Sequence, residues 1–168
     1  MKTALVSLML LIALGGPLGA QASSGAPKAA PAAASDLKDL DAFVALLYTS
    51  ISGPAGQVRD LPLQKSLFLP GARLAFPLRG KEGQVRVVNM DVEEYCRNYF
   101  PRMEQAGFFE KELGRRVDRF GNLAQVWSAY ESWEKDGDPK RRGVNSFQLL
   151  FDGNRWCVTG TAWEHESE

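Results

Sequence analysis

The sequence predicts an α+β fold in which three N-terminal helices pack on one face of a curved, mostly antiparallel sheet of about six strands. Two observations carry this. The helical patterns all come early, and from Phe108 onward the apolar residues recur at every second position instead. Three turn signals, Phe120-Gly121-Asn122, the polar stretch Lys135 to Gly143, and Asp152-Gly153-Asn154, then divide the remainder into four long strands. Sequential strands joined by short turns pair antiparallel, and helices that precede such a meander cover one of its faces.

The first helix is expected over residues 36–52, where Leu37, Leu40, Val44, Leu47 and Ile51 form one stripe widened by Phe43. Ser35 can cap it, and Gly53-Pro54 stops it. A short second helix fits 61–68, with Pro62 in its first turn and Pro70-Gly71 as its stop. Residues 72–77 and 84–89 flank a loop containing Gly80 and Gly83 and read as a hairpin. Asp91 with Glu94 has the capping-box spacing and opens a third helix, expected to run to about 99, to kink or restart at Pro101, and to close at Gly107. The four strands are expected at 108–119, 122–133, 143–151 and 154–164.

Residues 1–22 read as a cleavable signal peptide: Lys2, an apolar run from Ala4 to Leu14, a break at Gly15-Gly16-Pro17, and small residues around Ala20 and Ala22. Residues 23–35 are a flexible Ala/Pro/Ser linker that cannot offset the cost of ordering. Residues 36–168 are then one domain with a single core, secreted or periplasmic, with no membrane contact after cleavage. With Lys2 and Lys28 set aside, it carries 18 basic and 20 acidic residues, a balance that offers no footprint for nucleic acid. Arg115, Arg116, Arg119 and Lys140 to Arg142 read as solvated charges. Cys96 and Cys157 lie inside regular elements and read as two buried thiols.

The order helix, helix, hairpin, helix, four strands resembles the cone-shaped nuclear transport factor 2-like superfamily, over about residues 36–166. The stretches Arg115-Arg116-Val117-Asp118-Arg119-Phe120-Gly121-Asn122, Tyr130-Glu131, Gly143-Val144-Asn145-Ser146-Phe147-Gln148-Leu149 and Asn154-Arg155-Trp156, with Trp163, resemble an exported branch of the SnoaL-like proteins. Each stretch also has a structural reading. Phe-Gly-Asn is a turn, Gly143 relieves a strand start, and Trp156 with Val158 belongs in a core.

The resemblance implies a ligand held inside the cone, between the first and third helices and the concave sheet face, lined by Tyr48, Tyr95, Tyr130, Asn145 and Trp163. Asn145 shares its strand face with Phe147, Leu149 and Phe151, so its amide is either a structural hub or a ligand group. Related enzymes of the ketosteroid isomerase type set a carboxylate base beside a Tyr donor; Tyr48 fits the donor, and Glu131 could act as base if it faces inward. Dehydratases of this fold use His with Asp, but the one histidine, His165, stands between Glu164 and Glu166 and reads as a solvated tail. No cofactor motif or metal-ligand spacing is present, and Asp136, Asp138 and Asp152 read as turn residues.

The expected function is binding of a small apolar or amphipathic molecule, or of a protein partner, by a homodimer formed through the outer sheet face. The alternative is a lyase or isomerase using Tyr48 and a buried carboxylate. A third reading has Phe147, Phe151 and Trp163 filling the cone completely.

Overall fold

The computed structural model describes residue 35, residues 37–135 and residues 138–166. The expected signal peptide and all of the linker except Ser35 lie outside these residues. The element order is α1 (Leu40–Ile51), α2 (Leu61–Ser66), β1 (Phe68–Arg79), β2 (Val85–Met90), α3 (Val92–Ala106), β3 (Phe109–Phe120), β4 (Leu123–Trp133), β5 (Arg141–Phe151) and β6 (Trp156–His165). The strands form one mixed six-stranded sheet in the order β2-β1-β6-β5-β4-β3.

Each helix begins at an aspartate. Asp39, Asp60 and Asp91 accept from the backbone N–H groups of Ala42, Leu63 and Glu94 at 2.8, 2.9 and 2.8 Å. Helix α1 therefore starts at Leu40 rather than at residue 36. The expected cap Ser35 instead accepts from the N–H groups of Lys38 and Asp39 through its carbonyl, making a turn ahead of the helix. Helix α3 runs unbroken through Pro101. A proline there removes the hydrogen bond to the carbonyl of residue 97, and since Arg97 and Pro101 are both exposed, solvent can satisfy that carbonyl. The helix ends at Gly107, whose φ of 79° suits glycine, and a Cβ there would stand 3.0 Å from both Ala55 N and Glu134 O.

The sheet departs from the expected meander at β1. This strand is longer than the predicted 72–77 and lies parallel to β6, with Leu74 opposite Thr161, while pairing antiparallel with β2 on its other side. Pro70-Gly71, expected to stop α2, falls inside β1 where the register to β6 shifts between Phe68 and Arg73. The remaining pairs are antiparallel as predicted.

One end of the concave face is sealed. Phe43 and Val44 of α1 pack with Leu67, Ala124, Val126, Leu149, Trp156 and Val158, all buried. Arg119 lies 5.0 Å over the Trp156 ring. At the other end, the C-terminus of α1 is tied to β3 by paired backbone bonds between Gly53 and Phe108. The buried Arg59 guanidinium donates to the carbonyls of Ile51, Gln57 and Gly53 at 3.0, 2.8 and 2.8 Å, satisfying carbonyls that a helix end and its loop leave open. Cys96 and Cys157 are both buried and unpaired, their thiol pKa values pushed up by burial.

Candidate ligand-binding cavity

The open half of the cone holds a cavity of about 550 Å³. It is walled by Leu47, Tyr48 and Ile51 of α1, Tyr95, Tyr99 and Met103 of α3, and inward residues of the sheet. The third reading of the sequence, a filled cone, does not hold. Phe147 and Trp163 line the cavity rather than close it, and Phe151 packs against Trp156 at the sealed end. Phe76 and Trp163 stack at 4.7 Å between ring centroids, and Tyr95 meets Trp163 edge-on at 6.2 Å, so much of the wall is aromatic.

The structure brings Tyr48, Tyr95, Tyr130, Asn145 and Trp163 together on this cavity, but not Glu131. Successive residues of a strand point to opposite faces, so Tyr130 turning inward sends Glu131 outward. There Lys140 donates to it at 2.6 Å and holds its carboxyl below the usual range. Among the described residues, the carboxylate that lines the cavity is Glu110 on β3. Burial pushes its pKa up to about 7, against a smaller opposing effect of the hydrogen bond from Asn145.

Asn145 is a hub. Its Nδ2 donates to Glu110 Oε1 at 2.9 Å and to Tyr48 Oη at 3.2 Å, which uses both amide hydrogens. Tyr48 Oη lies 2.6 Å from Ser128 Oγ, and Ser128 gives its single hydroxyl hydrogen to Glu112 Oε1 at 2.5 Å. The direction of the chain is therefore fixed: Asn145 donates to Tyr48, Tyr48 to Ser128, and Ser128 to Glu112. Arg115 anchors the far end, donating to Glu112 Oε2 at 2.5 Å and to Asp41 Oδ1 at 3.0 Å. Tyr48 thus points its proton away from the cavity, and burial lifts its pKa to about 12. The donor role expected for it does not fit this arrangement. Arg115, expected in solvent, is a structural anchor.

His165, expected in a solvated tail, makes a second contact across the sheet. His165 is the last residue of β6, paired with Gly143 of β5, which in turn pairs with Tyr130 of β4. Tyr130 Oη and His165 Nδ1 are 3.0 Å apart, spanning the glycine between them. A Cβ on Gly143 would fall 2.5 Å from Tyr130 Oη and 2.4 Å from Glu164 O, so this glycine clears the space the tyrosine crosses. His165 lines the cavity; its pKa is lowered by burial and then by the nearby charge of Arg141, so the ring is neutral at pH 7.

Several polar atoms on the wall have no partner within the described chain. Ser132 and Tyr95 make no side-chain hydrogen bond. Thr161 Oγ1 is the one enclosed side-chain polar atom left unsatisfied among the described residues. Tyr95 titrates well above its ordinary range, through burial and then the charge of Glu110. Among the described residues, no group of three or more His, Cys, Asp or Glu side chains could hold a metal ion.

No family model and no curated protein matches the sequence. Solved structures do resemble it. A proposed dehydratase of the nuclear transport factor 2-like family from Streptomyces avermitilis superposes with a TM-score of 0.58 at 13% identity, over 80% of this chain and 98% of that one. A proposed ketosteroid isomerase from Parabacteroides distasonis gives 0.53 at 13% identity, over 79% and 96%. A nuclear transport factor 2-like protein of unknown function from Silicibacter pomeroyi gives 0.50 at 16% identity, over 76% and 92%. The chain has the nuclear transport factor 2-like fold.

Proposed function

We propose that the chain binds a small, largely apolar molecule inside the cone. The observation that carries this reading is the cavity itself. At about 550 Å³, it falls within the range of small-molecule sites, with an aromatic wall and a few convergent polar groups. The neutral fluorophore N-phenyl-1-naphthylamine tests it: its emission should rise on adding the folded chain, and the rise should vanish in Thr161→Trp, which fills the chamber. Equal emission with both proteins contradicts the reading.

Glu110 favours a second reading, proton transfer of the isomerase or lyase kind. A carboxyl poised near neutral pH in an apolar site can take a proton from carbon and return it. Tyr95, whose hydroxyl has no partner among the described residues, is better placed to donate than Tyr48. The chain should then convert a β,γ-unsaturated ketone to its α,β isomer, with the rate lost in Glu110→Gln. No turnover by the unmodified chain leaves binding alone.

The same reading keeps the protein outside the cytoplasm, cleaved near Ala22, and pairs two copies through the outer sheet face. Exposed Leu113, Phe120, Leu123, Trp127 and Val144 support the pairing. N-terminal sequencing of exported material and light scattering test the two statements separately.

A further inference from the structure

We propose that the ligand is an acid: its carboxylate sits on Arg141 at the rim while its apolar body lies along the Phe76–Trp163–Tyr95 wall, an inference that rests on the binding reading above. Three observations lead here.

The first is a cation without a partner. Among the described residues lining the cavity, Arg102 is held by Glu134 at 2.7 Å, but Arg141 meets no acid. Glu131 and Glu164, on the neighbouring strands, are paired elsewhere, with Lys140 at 2.6 Å and with Arg79 at 2.6 Å. His165 beside it is neutral at pH 7 and does not compete for an anion.

The second is register. Glu110, Ser132 and Arg141 face each other across β3, β4 and β5 in one row, all on the concave side. Two strand spacings put the ends of the row about 10 Å apart. The unpartnered Ser132 hydroxyl stands between them and can donate to the same carboxylate.

The third is polarity. Glu110 repels an anion from the inner end, and Arg141 attracts one at the rim, so an acidic molecule has only one orientation in which both ends are satisfied. A guanidinium at the mouth matches carboxylate geometry and, among the described residues, has no ion pair to be displaced. A bicyclic aromatic acid has the length and the flat apolar body that this row and wall accept.

The test compares 2-naphthoate with its neutral isostere 2-naphthamide, binding each to the full chain at about pH 8, where Glu110 is ionised and His165 neutral, and following tryptophan fluorescence. The acid should bind about tenfold more tightly than the amide, as expected for one charge-assisted contact. Arg141→Gln should erase that preference and leave naphthamide affinity within about twofold, while Arg102→Gln keeps the preference. Equal affinities in the unmodified chain, or a preference that survives Arg141→Gln, overturn the acid assignment but leave the chamber intact. If neither probe binds, or if naphthoate still binds Thr161→Trp, the chamber reading falls together with this one.

Discussion

The two ends of the cone are built from the same strands, yet they are chemically unlike. Along β4 the inward residues run from Ala124 and Val126 at the sealed end to Ser128, Tyr130 and Ser132 at the open end. β5 runs from Leu149 and Phe147 to Asn145, Gly143 and Arg141, and β6 from Trp156 and Val158 to Thr161, Trp163 and His165. The sealed end stabilises by excluding water from apolar surface. The open end keeps polar groups whose hydrogen bonds are in part directed at each other and in part left for something else, a pattern expected where stability yields to function.

The largest effect should come from breaking the sealed end. Trp156→Ala removes a fully buried ring and the surface on which Arg119 rests. The expected loss is about 3–5 kcal/mol in urea denaturation. Changing Glu110 at the open end should act in the opposite sense. A carboxyl whose folded pKa, about 7, exceeds the usual 4.5 binds its proton more tightly in the folded state. The stability it contributes is then present below pH 4.5 and lost as pH rises to 7. At about 1.4 kcal/mol per pH unit, Glu110→Gln should be more stable than the unmodified chain by about 3 kcal/mol at pH 8 and no more stable at pH 4.

Gly143→Ala sharpens the contrast further, since Tyr130 and a strand carbonyl occupy the space of the new methyl. A cost of about 1–3 kcal/mol is expected. The Tyr130–His165 contact should be lost as well, and NMR would show it as a change in the His165 titration midpoint. Glu131→Gln is the smallest perturbation. It weakens a pair on the face away from the cavity whose Lys140 partner is half-exposed, so probe binding should stay unchanged and the melting midpoint should fall only slightly.

Much of this fold can be read from local pattern. The α1 stripe, the Asp91 and Gly107 boundaries of α3 and the turns of the last four strands follow from spacing alone. The parallel contact of β1 with β6 does not, because it joins segments far apart in sequence with no turn to announce it. Pro101 misleads for a different reason, since its exposed position makes the missing hydrogen bond inexpensive.

The site was legible where strand alternation is regular. Asn145 shows as a polar residue on an apolar face. Glu110 is hidden by a bulge. Strict alternation along β3 puts Phe109, Leu113 and Val117 on one face and turns Glu110 and Glu112 to the other, which reads as solvent. The register shift between Glu112 and Gly114 leaves Leu113 as an extra residue, so that Glu110, Glu112, Arg115 and Val117 all face inward. Glu131, by contrast, could have been set aside from the sequence, since it adjoins Tyr130 on one strand and both cannot line the same cavity.

On the reading proposed above, Glu110 is a buried acid whose carboxyl senses any molecule that enters the chamber. Side-chain carboxyl NMR of the full chain across pH, with Glu110 assigned by its loss in Glu110→Gln, tests it directly. A midpoint near 7 that moves when N-phenyl-1-naphthylamine saturates the protein is the predicted result. A midpoint near the ordinary 4.5, unmoved by the probe, would contradict it.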